Sequence, residues 1–217
     1  MMAPPFAYID IMSARILRII LAAAAILLIA VAFGYQYGWF GTGDRRPGST
    51  GIAKIGGPFT LVDHKGSERR DSDFKGSLML IYFGYTYCPD VCPTALQVMS
   101  VAMDVLGRDG RAVQPILITI DPERDTVAHL AKYVTNFHPR LVGLTGSVEA
   151  VNAAARGYRV YFAKSKPEGE KPASATDYLM DHTSIVYLMD RKGLYLTHFT
   201  HNTDSGAMAV AIRKHLQ

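Results

Sequence analysis

Hydrophobic positions are concentrated near the N-terminus and occur in shorter runs over the rest of the chain. From Ile19 to Phe40 almost every residue is apolar, and Gln36 has the only fully polar side chain. A run of about 20 apolar residues matches the hydrocarbon thickness of a bilayer. Aromatic residues crowd the C-terminal end of the run, as they do at membrane interfaces. The pattern predicts a single transmembrane helix over residues 19–40, preceded by a short cytoplasmic N-terminus of residues 1–18.

Two other interpretations of this apolar run are open from the sequence. A cleaved signal peptide would use Ala30-Val31-Ala32 as its processing site, although the run continues past it. A buried core helix is disfavoured, because no polar face recurs every three or four residues. Arginines flank both ends, at Arg15 and Arg18 and at Arg45 and Arg46, and so orient the span only weakly. We expect a bacterial-type cytoplasmic (inner) membrane, with the C-terminal domain in the periplasm.

The remainder of the chain divides into a linker and one domain. Residues 41–54 are rich in Gly, Ser, Thr and Arg, which is typical of a flexible linker. Residues 55–217 have a length that suits one core. Apolar runs and helical periodicity predict strands at 59–62, 78–83, 115–120, 159–162, 183–189 and 194–199, helices at 94–106, 126–137, 148–156 and 205–216, and a polar loop at 164–176.

The order of these elements predicts an α/β domain with a thioredoxin-like fold. The run from Leu78 to Phe83 is apolar throughout, as a strand covered on both faces should be. Strands alternate with helices first, and a hairpin and a helix close the chain. We therefore expect parallel βαβ followed by antiparallel ββα. Sites in such folds lie at the carboxyl edge of the sheet.

The charge of the chain argues against one class of partner. The formal net charge is +4 over 217 residues. No basic cluster stands out along the sequence, so nucleic-acid binding has no support.

The most informative chemistry lies in the only two cysteines, which occur in the heptapeptide Tyr87-Cys88-Pro89-Asp90-Val91-Cys92-Pro93. Pro93 suits the first position of a helix, so Cys92 is expected at the N-cap. Exposed backbone N–H groups and the helix dipole there favour thiolate over thiol. The thiolate is the form that attacks disulfides. It is also the form that binds soft metals such as Cu(I), or Zn(II).

A metal ion held by two sulfurs would need a further ligand. Among the seven histidines, His182 is the best candidate, because it precedes an apolar strand and should lie on a connecting loop. The others are expected to be solvated or structural, including the HxxH pair His198 and His201. Met99 and Met103 have core spacing, and we expect them to pack in the core.

Other uses of the cysteine pair compete with metal binding. A structural disulfide would close a very short loop and stabilise the fold by about 2 kcal/mol or less. A peroxiredoxin-like peroxidase would need Thr and Arg beside the thiolate, and no such local pattern surrounds Cys88. Thiol–disulfide exchange is the stronger competitor, because it needs only the two thiols.

Several motifs in order resemble the SCO/SenC family of membrane-anchored copper-delivery proteins. They are Gly56–Leu61, Tyr82–Pro93, Thr119–Thr126, Leu141–Gly146, Tyr158–Tyr161, and Asp177–Tyr178 followed by Asp181–Thr183. The resemblance implies a thioredoxin-like fold that binds one copper ion, as Cu(I) or Cu(II), through Cys88, Cys92 and His182. Many members carry a histidine before the first cysteine, where this chain has Tyr87. Asp121 falls in a family motif, but no ligand role is assigned to it.

The resemblance also implies a task, the maturation of the binuclear copper site of cytochrome c oxidase subunit II. We therefore expect a copper chaperone, a binding protein rather than an enzyme with turnover, whose partner is that subunit. Further candidate partners are another periplasmic copper chaperone and a thiol reductase. The alternative function is a thiol–disulfide oxidoreductase that reduces the cysteines of the subunit. It would use Cys88 and Cys92 as a redox pair and would not strictly need His182.

Overall fold

The computed structural model describes residues 7–36, 55–165 and 178–216. The chain divides into two units, Met1–Ile52 and Ala53–Gln217. The described part of the first unit is one helix, α1 (Ala7–Gln36). Its stretch Ile16–Phe33 is long and apolar enough to cross a membrane, by length and composition. The last four residues of the predicted span and the predicted linker, together 37–54, lie outside the described residues.

The second unit contains nine described strands in two sheets. They are β1 (Thr60–Asp63), β2 (Glu68–Arg70), β3 (Leu78–Gly84), β4 (Val113–Thr119), β5 (Val142–Thr145), β6 (Phe162–Ser165), β7 (Leu179–His182), β8 (Ile185–Met189) and β9 (Tyr195–Thr200). Seven of them form one sheet in the order β2-β1-β5-β4-β3-β8-β9, and β6 pairs with β7 in a separate two-stranded sheet.

The sheet has the predicted change from parallel to antiparallel pairing. β3 pairs in parallel with β4, and β4 pairs in parallel with β5. β8 then pairs antiparallel with β3, and β9 pairs antiparallel with β8. The helices of this unit are α2 (Val91–Leu106), α3 (Val127–Val134), α4 (Val148–Gly157) and α5 (Ser205–Arg213).

Burial explains why β3 was evident from the sequence. All seven of its residues are buried, because neighbouring elements cover both of its faces and leave no face to water. The core also includes Met99 and Met103 of α2, each 2% exposed, so the core role expected for these two residues is confirmed.

The start of α2 corrects one prediction. The helix begins at Val91 with Asp90 as its N-cap, so Cys92 lies inside the first turn and Pro93 is the third helical residue. The sequence could not separate these alternatives, because the first four N–H groups of a helix have no intrahelical acceptor. Proline is therefore tolerated throughout the first turn.

Several strand boundaries also differ from the predictions. The strand expected at 159–162 begins only at Phe162, because Arg159 has a positive φ of 58°. The strand expected at 183–189 begins at Ile185. Lys164 and Ser165 belong to β6 rather than to the predicted loop, and the rest of that loop, 166–176, lies outside the described residues. The short strands β2, β5 and β7 were not predicted, since three or four residues give too little periodicity.

Candidate metal centre

The two cysteines lie at the carboxyl edge of the sheet, in the loop after β3 and the first turn of α2, where the sequence predicted a site. They form no disulfide with each other. Cys92, in the first turn of α2, is fully buried, whereas Cys88, in the preceding loop, is half-buried. The backbone N–H of Cys92 points at the sulfur of Cys88, with an N–Sγ distance of 3.4 Å. This is the contact with a free helix N–H that was expected to favour a thiolate.

The pKa values of the two thiols are shifted in opposite directions. A hydrogen bond from Cys92 is the main reason that the pKa of Cys88 is lowered to about 3, with further lowering by His182 and backbone N–H groups, against the effect of burial. The same hydrogen bond, together with burial, raises the pKa of the Cys92 thiol. These opposite shifts favour a thiolate at Cys88 and a thiol at Cys92 in the metal-free pair.

His182 reaches the cysteines from the β6–β7 hairpin. It is the last residue of β7 and pairs with Phe162 of β6. The sequence placed it on a connecting loop, but that loop begins one residue later, at Thr183. Its Nδ1 lies 3.1 Å from the carbonyl oxygen of Thr183. A carbonyl can only accept, so a neutral imidazole here would carry its proton on Nδ1 and leave the Nε2 lone pair free for a metal ion. Nε2 lies 3.4 Å from the sulfur of Cys92.

The ligand atoms of Cys88, Cys92 and His182 all lie within 4.8 Å of one another and could hold a metal ion. Two sulfurs and one imidazole nitrogen form a donor set for soft or borderline metals, whereas Ca²⁺ and Mg²⁺ prefer oxygen. A metal ion at this position would release the proton of Cys92, because only the thiolate is a ligand.

Aromatic rings enclose the imidazole. The edges of Tyr82 and Tyr85 meet the His182 ring, with centroid distances of 6.2 and 6.1 Å. The Tyr82 hydroxyl is 3.2 Å from the Oγ of Ser184, and burial is the main reason that its pKa is raised. Tyr82 therefore remains neutral and adds no charge beside the two sulfurs.

Tyr87 occupies the position before the first cysteine and is 48% exposed. Its ring stacks on His129 with a centroid distance of 5.0 Å and an interplanar angle of 10°. The guanidinium of Arg124 lies 4.7 Å from the same ring. His129, expected to be solvated, thus forms part of the rim of the metal centre, although it is not among the converging donors.

The remaining histidines behave as expected from the sequence. His198 contacts the hydroxyl of Tyr195, and His201 lies exposed in the turn after β9. In the part of the chain that the structure describes, the only group of three or more His, Cys, Asp or Glu ligand atoms that converges is the one around His182.

The loop between β4 and α3, residues 120–126, contains residues that the sequence did not assign. Asp125 is fully buried. Burial raises the pKa of this carboxyl, whereas hydrogen bonds from Thr119 and Thr86 oppose the rise. Asp121 pairs with Arg124. The family motif over 119–126 was the one signal that could have drawn attention to these carboxylates.

The sequence model of the SCO1/SenC family matches residues 47–217. The chain belongs to the SCO1/SenC family. The mouse (Mus musculus) mitochondrial SCO2 homolog is 39% identical over 203 residues, which are 88% of this chain and 78% of the mouse protein. Schizosaccharomyces pombe sco1 is 44% identical over 78% of this chain, which spans 64% of that protein.

Solved structures of relatives have the same thioredoxin-like architecture. Bradyrhizobium japonicum ScoI with copper bound matches with a TM-score of 0.67 and 40% identity, over 74% of this chain and 99% of that one. The predicted fold class is therefore confirmed.

Proposed function

We propose that this member of the SCO1/SenC family binds one copper ion through Cys88, Cys92 and His182. We further propose that it delivers the ion to the binuclear copper site of cytochrome c oxidase subunit II. The convergence of the three donors within 4.8 Å carries the proposal. A relative solved with copper bound supports the choice of metal.

The donor set suits copper in two oxidation states. Two thiolates with a neutral imidazole give the low coordination number and soft ligands that Cu(I) accepts, and the nitrogen helps to hold Cu(II). Because Cys88 is half-buried, the ion would be close to solvent and open to an acceptor. Cys92 would form the buried side of the site, whereas His182, like Cys88, is half-buried.

Membership of the family and the helix α1 support the proposed partner and location. Family resemblance supports the oxidase subunit as the acceptor. The apolar helix supports anchoring, and the compact second unit would then lie in the periplasm beside the bacterial inner membrane. Another copper chaperone could load the site, and a thiol reductase could keep its cysteines reduced.

The test is the copper stoichiometry of the purified, reduced protein. We expect one Cu(I) per chain, and we expect Cys88→Ser or Cys92→Ser to abolish tight binding. His182→Ala should weaken Cu(I) binding and remove any stable Cu(II) form, because Cu(II) needs the nitrogen donor.

His215→Ala is the matched control, since this histidine lies at the C-terminal end of the chain beyond α5 and should leave binding unchanged. Two coppers per chain would point to a second site, with His198 and His201 the first residues to test. Wild-type protein that binds no copper would refute the proposal.

A thiol–disulfide oxidoreductase is the second candidate function. The unequal exposure of the thiols supports it, because an accessible Cys88 could attack a partner disulfide and the buried Cys92 could then resolve the mixed disulfide. This reaction would oxidise the pair to a disulfide and reduce the subunit. This exchange reaction does not require His182, so the effect of replacing His182 distinguishes the two functions experimentally.

A further inference from the structure

The loop between β4 and α3, residues 120–126, contacts both parts of the metal centre although it supplies none of the converging donors. It leaves β4 at the same edge of the sheet where β3 leads into the cysteine loop. Its two buried carboxylates, Asp121 and Asp125, make contacts to different segments of the chain. One set of contacts reaches the segment before the first cysteine, and the other reaches the segment before His182.

Asp125 holds the backbone ahead of the first cysteine. Its carboxylate accepts hydrogen bonds from the N–H of Thr86, at 3.1 Å, and from the Thr86 hydroxyl. The hydroxyl of Thr119, at the end of β4, donates to the same carboxylate at 2.6 Å. Because Asp125 is fully buried, a lost partner is not replaced by bulk water. Thr86 lies two residues before Cys88, so these contacts fix the start of the thiol loop.

Asp121 holds the hairpin that carries His182. Its carboxylate pairs with Arg124 and accepts a hydrogen bond from the hydroxyl of Tyr178 at 2.8 Å. Arg124 donates to the backbone carbonyl of Tyr178 at 2.9 Å, and its guanidinium lies 3.7 Å from the centre of the ring. Tyr178 directly precedes β7, which ends at His182. The contacts therefore fix the start of the strand that presents the imidazole.

The hairpin needs such contacts because of its place in the fold. β6 and β7 form a separate two-stranded sheet, and a two-stranded hairpin by itself is only marginally stable. Side-chain contacts must therefore supply the stabilisation that further strands would otherwise provide. Tyr85 supplies one such contact, accepting a hydrogen bond from the N–H of Met180 at 3.1 Å, and the β4–α3 loop supplies the others.

We propose that the β4–α3 loop is the positioning element of the metal centre, with Asp125 acting on the thiols and Asp121 on the imidazole. The inference rests on the proposed copper-binding function and deepens it. The loop is one rigid link between two ligand-bearing segments that are far apart in sequence. It keeps the donors close together before the ion arrives, which lowers the ordering cost of binding.

The test measures Cu(I) affinity of the full-length, reduced protein in detergent by competition with a chelator. Tyr178→Phe removes the hydroxyl that donates to Asp121 and keeps the ring against Arg124. We expect about fivefold weaker binding, the factor that corresponds to one ordinary hydrogen bond. Combined with His182→Ala, the same change should alter affinity by less than about twofold, because the ligand that it positions is absent.

Thr86→Val is the matching change on the thiol side. It removes the hydroxyl that donates to Asp125, and we expect about fivefold weaker binding with or without His182, because it acts through Cys88. The controls are Tyr161→Phe, at a residue 66% exposed next to β6, and Thr197→Val on β9, and neither should change affinity. An unchanged affinity for Tyr178→Phe, or an equal loss in both backgrounds, would overturn the proposal.

Amide hydrogen exchange of β7 in the copper-free protein gives a reading that is independent of copper binding. Tyr178→Phe should speed exchange of the β7 amides, including the Met180 amide that donates to the Tyr85 hydroxyl, about fivefold, because one contact that holds the strand is lost. Tyr161→Phe should not change these rates. Unchanged exchange in Tyr178→Phe would also overturn the proposal. Wild-type protein that binds no copper would instead refute the proposed function alone.

Discussion

Gly84 packs directly beneath the metal centre, and its replacement by alanine tests the packing there. A Cβ at this position would lie 2.6 Å from the Cε1 of Tyr82 and 3.1 Å from the sulfur of Cys92. Neither neighbour can move freely, because both side chains are fully buried. The backbone is also fixed, since Gly84 pairs with Thr119 and its carbonyl accepts the N–H of Ile120 at 2.9 Å.

The expected loss of stability follows from two opposing effects. Overpacking of a well-packed core costs about 1–3 kcal/mol. Replacing glycine in a strand returns about 0.5–1 kcal/mol, because the unfolded chain loses conformational freedom. Since the 2.6 Å approach to Tyr82 rules out the low end of the overpacking cost, Gly84→Ala should lower the free energy of unfolding by about 1–2 kcal/mol. That loss corresponds to a fall in Tm of about 2–8 °C for a domain of this size.

The assay is urea and thermal unfolding of the reduced, metal-free domain Ala53–Gln217, which is a compact unit. Gly57→Ala is the matched control, because a Cβ added at that glycine would have nothing within 4 Å of it. Cu(I) affinity should also fall in Gly84→Ala, since the sulfur of Cys92 must shift to admit the methyl group. A midpoint equal to that of Gly57→Ala, together with wild-type copper affinity, would refute this account of the packing.

Three further outcomes are expected. Full-length protein should stay with membranes after a high-pH carbonate wash, and external protease should release the domain near residues 41–57 in spheroplasts. A soluble periplasmic form that starts at Phe33 would instead show a cleaved signal peptide. The disulfide form of Cys88 and Cys92 should bind no Cu(I), because it offers no thiolate, and equal uptake by oxidised and reduced protein would contradict the ligand assignment. In cells at limiting copper, His182→Ala should lower oxidase activity as far as the double cysteine variant does. Near-normal oxidase assembly in the His182→Ala strain would favour the thiol reductase function, which does not need the imidazole.

The candidate ligands could be picked out from the sequence because they carry distinctive local signals. Cys88 and Cys92 are the only cysteines and follow an apolar strand. His182 stood out because it adjoins another apolar run. The positioning residues gave no comparable signal. Tyr178 follows the loop predicted at 164–176 and was noted only as part of a family motif, and the partner of its hydroxyl is 57 positions away in the chain.

Local sequence was sufficient for the apolar N-terminal helix, the buried strand β3 and the thiol pair at its carboxyl end. Each of these depends on residues that are neighbours in the chain, so hydrophobic periodicity and spacing report them directly. The change from parallel to antiparallel pairing also followed, because the order of strands and helices restricts the possible connections.

Only the tertiary structure brought His182 to the cysteines, across 90 positions from Cys92. It also set the exposed histidines apart from the metal centre and joined Asp121 to Tyr178. Sequence patterns do not encode which distant side chains meet, because that depends on the register of the β6–β7 hairpin and on how it packs beside the sheet. The candidate donors could therefore be named from the sequence, whereas the short distances between them, which would allow them to hold one ion, arise from long-range packing.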